Sequence, residues 1–550
     1  MPRPKTSPVE RNGTDRAAQL ERLRQADRFD LIVVGGGATG LGVALDAAAR
    51  GFKVCCLERD DFAKGTSSRA TKLVHGGVRY LAQGNVALVR EALAERATLL
   101  ANAPHLAQPL PFVVPGYHWW ERPYYGAGLS LYDALAGRRG LGRTRWLSSG
   151  QTREALPTVR SQGLSGGVQY WDAQFDDARL AVTLARTAIA QGAVVLNHLP
   201  VHGLVREAGK VCGVQARDAE TGERFELRAG CVVNATGVWV DALRDMDSPP
   251  DGHRRPPMVA PSQGTHIVVD REFLPGRAAL MVPQTRDGRV LFVVPWLGHT
   301  ILGTTDTPRK DLAAEPEPFH DDVEFILGEA GRYLDRPPKR RDIRSIWVGL
   351  RPLVRDDDEE AGNTKALSRE HVVRVGHSGL VTVTGGKWTT YRAMADDVLD
   401  RCMDAGLIER RAGGLTERLA LLGAPDSRSL QSSGTTAAPG TALCDPPGEH
   451  LYGSEASRLH QLPGADRWLW RHGDGGLSEA MVRFAVRHEL ARRLEDVLAR
   501  RCRLLFLDAA RAESLIEPVA DLLSDELGRP IAQSERDEFA ALARRYRTAP

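Results

Sequence analysis

Aromatic residues make up only 6% of the 550 residues, and the formal net charge is only +3. So small an excess of either sign argues against a dedicated nucleic-acid binder, and the slight basic surplus suits weak contact with an anionic surface. Seven cysteines form no C-x-x-C pair and no metal-like spacing, so neither a disulfide framework nor a structural metal site is expected. Cys55 and Cys56 fall inside an apolar run and read as small hydrophobes in a reducing compartment. No run is apolar enough over about twenty residues to read as a membrane span. With 42% hydrophobic and 26% charged residues, the chain reads as an ordinary soluble protein of two or three domains.

Glycine is plentiful, and its placement is informative. Leu31 to Val34 form a short apolar run of the kind buried on both faces of a sheet. Gly35, Gly37 and Gly40 follow as G-x-G-x-x-G, and Leu41 to Arg50 continue as a small-residue helix. A second apolar run, Val54 to Leu57, ends at Glu58, eighteen residues beyond Gly40. Gly35 makes the tight turn, Gly37 admits a pyrophosphate to the backbone, and Gly40 allows close helix–strand packing. The helix N-terminus offers N–H groups to phosphate, and Glu58 can accept from ribose hydroxyls. The run from Leu31 to Ala49 is nearly uncharged but Gly-rich and interrupted by Asp46, so it reads neither as a signal peptide nor as an anchor.

Residues 1–27 read as a mobile extension, with a basic surface anchor the alternative, and are helix-like over Ala17–Ala26. The loop Gly65 to Tyr80 is dense in glycine and small hydroxyl residues, and its only charges are basic, which suits phosphates or a flat ring and equally a polar surface loop. Glu91 to Asn102 has helical spacing. Residues 106–165 are rich in Trp, Tyr, Pro and Gly without a clear period. Asp176 is a plausible N-cap for a helix from Leu180 to Gln191. Short strands follow at Val194–Leu196, Val201–Val205, Val211–Ala216 and Phe225–Leu227. Cys231 to Gly237 is again a strand delivering a glycine turn.

From 258 to 305 the pattern becomes an antiparallel meander. A helix is expected at 318–335, and strands at Ile346–Leu353 and Leu380–Thr384. Gly385-Gly386-Lys387 then opens a helix to about Ala405. Leu422 to Gly448 reads as a linker. Beyond it lies a helical C-terminal domain whose arginines (Arg487, Arg492, Arg493, Arg500, Arg501, Arg503) alternate with acids and read as a solvated helix face.

The ordered segments GGGATG, TSSRATKLVHGGVRYL, DDARL, NATG, GTHIVV, GTTD, GLRPL and GGKWTTYR resemble the FAD-dependent, quinone-linked glycerol-3-phosphate dehydrogenase family over roughly residues 28–405. The tail from His488 is similar to that family's C-terminal domain. The resemblance implies an α/β fold: a glutathione-reductase-like FAD-binding Rossmann domain (28–105, 166–246 and 340–405), an antiparallel-sheet substrate domain (106–165 and 247–339), a linker (406–448) and a helical C-terminal domain (449–550).

On this resemblance FAD is bound non-covalently. Gly35, Gly36, Gly37, Thr39, Gly40 and Glu58 would hold its ADP half. Thr66, Ser67, Ser68, Lys72, Leu73, His75, Gly76 and Gly77 would lie near the pyrophosphate and ring. Ala235, Thr236 and Gly237, with Asn234 behind them, would back the adenine and ribose side. Asp306, Gly386, Lys387, Trp388 and Thr389 complete the cofactor set. The phosphate of glycerol 3-phosphate calls for cations, and Arg79, Arg351 and Lys387 would supply them, with Tyr80 and Thr390 adding hydroxyl contacts. His266, opening an apolar strand, is the candidate base at the C2 hydroxyl, with a purely structural histidine the alternative. The resemblance further implies a membrane quinone as acceptor and a cytoplasmic location with peripheral contact at the inner face of the cell membrane. It leaves the assembly, monomer or homodimer, open. Rival readings are an oxidase of the same substrate using O2, an amine or hydroxy-acid oxidoreductase, and a non-catalytic flavoprotein.

Overall fold

A strand with Leu31, Ile32 and Val33 fully buried needs partners on both edges and cover on both faces. In the computed structural model, which describes residues 15–78, 81, 84–247, 256–355, 370–425 and 442–547, it has all four. Phe29–Val34 pairs in parallel with Val54–Leu57 on one side and Arg224–Asn234 on the other. Val194–Leu196 extends the sheet beyond Val54–Leu57, and Val381–Gly385 extends it beyond Arg224–Asn234, both in parallel. One face carries the helix Ala38–Ala49, flanked by Asp177–Ala190 and Tyr391–Asp404. The other face is covered by the antiparallel strands at 201–217 and by an N-terminal helix, with Leu20 and Leu23 buried against Ile32 and Val34.

That helix, Arg16–Gln25, corrects the expected mobile extension. Asp15 caps it, Arg16 pairs with Asp218 at 2.9 Å, and Gln19 accepts the N–H of Val195. Residues 1–14 lie outside the described residues, as do 426–441 of the expected linker. The far end of that linker is packed, with Leu443 buried and its carbonyl accepting the N–H of Leu297.

A second sheet of ten strands stands over the first. Its centre is the expected meander, Val259–Asp270, Ala279–Val282, Leu291–Trp296 and His299–Gly303. Two long segments expected in the nucleotide domain belong here instead, and the short Leu73–Val74 joins them by pairing with Gly166–Phe175. Gly166–Phe175 pairs along its whole length with Ala107–Gly116, and Ile343–Val354 pairs with Val259–Asp270. Each is a long strand whose partner along nearly its full length lies in the meander sheet, so full pairing draws it there. Asp176 is the N-cap foreseen, accepting the N–H of Arg179. The seven cysteines are all unpaired in disulfides. Among the described residues, no helix is long and apolar enough to cross a membrane.

The C-terminal arginines are where expectation and structure part most clearly. Arg500, Arg501 and Arg503 are buried, not solvated. Asp61, at the end of the nucleotide unit, accepts from Arg500 at 2.5 Å and from Arg501 at 2.5 and 2.9 Å. Arg503 reaches Asp177 at 3.0 Å and the Ser68 carbonyl at 2.9 Å. The alternating acids of the sequence are only part of the pairing, since Asp61 and Asp177 come from far upstream.

Candidate active site

Gly35 ends the first strand with φ +113°, and a Cβ there would lie 2.5 Å from the Ala235 carbonyl oxygen. A Cβ on Gly40 would lie 1.9 Å from the Gly35 carbonyl oxygen. Only glycine fits at either position, so the helix start is drawn tight against two strand ends. Gly36 donates to Glu58 Oε2 at 2.6 Å, and Asp60 N–H reaches Oε1 at 2.9 Å. Burial raises the Glu58 carboxyl above its ordinary value, and those two N–H groups oppose the shift only in part. Ser67 Oγ accepts the N–H of Ala38 at 2.9 Å, tying the 65–77 loop to the helix N-terminus. Trp388 Nε1 donates to the Ser67 carbonyl at 2.8 Å, tying the late glycine turn to the same loop.

Around this junction opens a cavity of about 610 Å³. It is lined from the first sheet's side by Gly35, Gly37, Thr39, Glu58, Thr66, Ser67, Leu73, His75 and Gly77. Ala235, Thr236, Gly237, Gly386, Lys387, Trp388 and Thr389 continue the wall, and His266, Asp306 and Arg351 close it from the second sheet. Residues some 350 positions apart in the chain thus meet around one space. Arg351 and Lys387, two of the three expected phosphate-binding cations, share it. Arg79 and Tyr80 lie outside the described residues.

Six expected residues do not line the cavity. Gly36 and Gly40 act through the backbone geometry just described. Ser68 offers its carbonyl to Lys72 and Arg503, and its hydroxyl is buried. The Gly76 N–H is bound by Tyr132 Oη at 2.8 Å, facing a helix instead. Thr390 is buried and bonds back to the Lys387 carbonyl at 3.4 Å. Lys72 is the plainest correction. Its ammonium is fully buried, 2.7 Å from Asp177 Oδ2 and about 5 Å from the rings of Trp296, Trp347 and Phe506. Burial pulls it down to about 7 despite Asp177. A basic residue in a phosphate-like loop reads as a ligand; here the residue takes φ +66° and turns its side chain inward.

His266 stands in register with Trp347 across the second sheet, and the two rings stack at 5.3 Å and 12°. Its Nε2 lies 2.9 Å from Thr71 Oγ1. Burial first, then the charges of Lys72 and Arg351, hold its imidazole well below the ordinary histidine value. That shift favours the neutral ring. Arg351 sits opposite Ser262, with Nη1 3.3 Å from both the Gln263 carbonyl and Asp306 Oδ1, and Nη2 3.4 Å from Thr304 Oγ1.

Thr71, Thr304 and Trp239, not foreseen from the sequence, also stand on the cavity wall. Thr71 and Thr304 lay inside quoted motifs but carried no charge to single them out. A second acidic cluster, Asp61, His198 and Asp496, has metal-like proximity, but its carboxylates are already taken by Arg500 and Arg501.

A glycine cradle at a helix N-terminus, an acid closing the second strand and a long cavity toward a second sheet fit an adenine dinucleotide with a redox ring. This chain is a member of the FAD-dependent oxidoreductases: the model of the family "FAD dependent oxidoreductase" matches residues 30–392, and FAD is its cofactor. Residues 415–534 match the "C-terminal domain of alpha-glycerophosphate oxidase". Within that class the chain belongs to the FAD-dependent glycerol-3-phosphate dehydrogenase family. It is 42% identical over 529 residues to the probable mitochondrial glycerol-3-phosphate dehydrogenase of Caenorhabditis elegans, spanning 92% of this chain and 72% of that one. It is 41% identical to the mitochondrial glycerol-3-phosphate dehydrogenase SDP6 of Arabidopsis thaliana, spanning 93% and 85%. The crystal structure of the glycerol-3-phosphate dehydrogenase of Bacillus halodurans, complexed with FAD, matches with TM-score 0.74 at 29% identity, over 97% of this chain and 98% of that one.

Proposed function

We propose that the chain oxidises sn-glycerol 3-phosphate to dihydroxyacetone phosphate and passes the electrons to a membrane quinone, working peripherally at the inner face of the cell membrane. The observation that carries the substrate is the meeting of Arg351, Lys387 and a neutral His266 on one cavity with the nucleotide cradle. The 28–105, 177–246 and 381–405 segments hold the cofactor, and the meander sheet forms the substrate side.

The oxidation removes a hydride from C2 and a proton from its hydroxyl. Bound FAD supplies the acceptor for the hydride, at flavin N5. Everything else falls to the chain. Arg351 and Lys387 grip the phosphate dianion by charge-assisted hydrogen bonds, which orients the adjacent carbon. Arg79 and Tyr80 join them. His266, neutral and buried, takes the hydroxyl proton at Nε2, directly or through the Thr71 hydroxyl that already touches it. The positive charge of Arg351 and Lys72 then discourages the proton from staying on the ring. Glu58 keeps lone pairs for ribose hydroxyls beyond those given to Gly36 and Asp60.

The test is direct. The purified chain should be yellow, and glycerol 3-phosphate should bleach the flavin without oxygen. No bleaching would sink the substrate assignment. Reoxidation should then be fast with a quinone analogue and slow with O2; stoichiometric peroxide would move the acceptor to oxygen.

A further inference from the structure

Between Thr307–Pro308 and the helix His320–Gly331 the chain runs through residues 309–319 with neither helix nor strand, yet it is held at three points. Arg309 pins the base, its Nη1 donating to Gln263 Oε1 at 2.6 Å and to the Glu317 carbonyl at 2.7 Å. Midway, the Leu312 carbonyl accepts the indole N–H of Trp239 at 3.0 Å. Glu315 makes the third attachment, accepting from Arg69 at 2.6 Å and lying 3.0 Å from the Lys64 ammonium. Trp239, Arg69 and Lys64 all stand on the cavity wall. They form two lips at the cradle end: Lys64 and Arg69 on the loop after Val54–Leu57, and Trp239 on the turn after Arg224–Asn234. The lips touch, since a Cβ on Gly65 would lie 3.1 Å from the Trp239 ring. The strap of residues 309–319 spans this seam, with Asp311, Leu312 and Ala313 exposed to solvent.

What holds the strap down comes from the far end of the chain. Glu315 Oε2 accepts the Tyr546 hydroxyl at 3.0 Å, and the Glu315 carbonyl accepts from Arg545 at 2.7 Å. Arg545 also pairs with Glu317 at 3.1 Å. Both residues lie in the last turn of the helix Gln533–Arg547. Tyr546 is buried and packs edge-on against Phe506, 5.5 Å away in the C-terminal domain. Burial pushes the Glu315 carboxyl up, but Arg69 and then Lys64 more than reverse this, so it stays a carboxylate shared by three donors. Glu315, Arg545 and Tyr546 do not themselves line the cavity.

We infer that residues 309–319 are a gate on FAD exchange and that the C-terminal helix is its latch, with Glu315, Arg545 and Tyr546 as positioning residues. The lips close the cradle end of the cavity, so a dinucleotide entering or leaving there must part them. Parting them breaks the Trp239–Leu312 and Glu315 contacts, and the latch sets how often that happens. Arg545 and Tyr546 touch the strap and not the cavity, so they act alike on empty and loaded protein. Loosening them should speed entry and release together and leave affinity nearly unchanged. The inference rests on FAD being the cofactor and not on the substrate proposed above.

The test uses the full chain. FAD release is followed from the loaded protein by transfer to excess acceptor apoflavoprotein, and FAD association by stopped-flow tryptophan quenching after the flavin is stripped. Tyr546→Phe keeps the ring against Phe506 and should raise both rates about fivefold, and Arg545→Ala with Tyr546→Phe should raise both at least about tenfold. The Kd for FAD should move by less than about threefold, because both rates scale together. Anaerobic bleaching of the loaded variants by glycerol 3-phosphate should be unchanged. Unaltered rates overturn the gate. So does faster release with unaltered association, which would make these residues a prop for the wall. A rise confined to variants whose unfolding free energy has fallen would trace to the fold as a whole and overturn it too. Failure of wild-type bleaching would strike the proposed substrate and leave the exchange rates standing.

Discussion

The Arg351 guanidinium meets oxygens of Gln263, Asp306 and Thr304 at 3.3–3.4 Å, whereas that of Arg501 grips both oxygens of Asp61 at 2.5 and 2.9 Å. Side-chain exposure differs in the same sense, 26% for Arg351 and 1% for Arg501. The two arginines carry the same charge, yet the protein can use them for opposite ends. A cation whose side chain is a quarter exposed on a cavity wall can meet a ligand's phosphate from the open side. A sealed cation already matched by a carboxylate has no such freedom, and its pairing holds two domains together. Cation identity alone therefore says little about role. The distance and burial of the compensating acid decide it.

The sharpest way to break this contrast is Asp61→Asn, nearly isosteric but uncharged. It would leave Arg500 and Arg501 buried with one carboxylate fewer, and such loss costs about 3–5 kcal/mol. Denaturant unfolding should show that drop, while turnover per bound flavin stays near wild type. An intact stability would mean the junction tolerates unpaired charge, and the contrast with the cavity would fail.

The reciprocal change is Arg351→Ala or Lys387→Ala. Each should lower kcat/KM for glycerol 3-phosphate about a hundredfold, some 3 kcal/mol of transition-state binding. Stability and the flavin spectrum should hardly move. Arg351→Lys should recover part of the loss, since charge returns without the planar fork. Unchanged kinetics would remove that residue from the site.

Acid titration separates the regions without mutation. Burial pushes the Glu495 carboxyl up, but Arg500 and Lys64 more than reverse this and hold it at about 2. A carboxyl lowered in the folded state contributes stability in full above its unfolded value, and loses it as pH falls toward the folded one. The junction's share should therefore fade from about pH 4.5 down to about 2. Unfolding free energy followed across that window should fall with at least one proton taken up. A flat profile would mean Glu495 is not held as the structure has it.

Much of the nucleotide unit was legible because its signals are local. Backbone chemistry fixes where Gly35 and Gly40 must be glycine, and the apolar runs around them are short and unbroken. The strand at Val381–Gly385 and its glycine turn were legible for the same reason. What was not legible depended on distant partners. Nothing near Gly166–Phe175 says that it pairs with Ala107–Gly116, and nothing near Arg501 says that Asp61 lies against it. The N-terminal helix looked mobile because its anchoring residues, Asp218 and Val195, lie far downstream. In the site, charged residues announced themselves, whereas Thr71 and Thr304 became visible only once the second sheet was in place.

Lys72 stands between the two regions and tests the contrast most finely. By sequence it belongs to the cofactor loop; by structure its ammonium lies in the Asp177 and Arg503 cluster, behind Trp347. Lys72→Met keeps much of the side chain's length and apolar stem and leaves Arg503 to pair with Asp177. Since the ammonium does not face the cavity, FAD affinity and KM should stay within about threefold of wild type. One signature should nevertheless appear. After burial, the Lys72 charge is the next influence holding His266 low. Removing a neighbouring positive charge lets the imidazole rise toward its ordinary value, so His266 protonates at higher pH. The acid limb of kcat, measured at saturating substrate, should therefore shift upward while the plateau stays put. A large loss of FAD binding would return Lys72 to the cofactor. An unmoved limb would separate His266 from the proton transfer and leave it as a buried partner of Trp347.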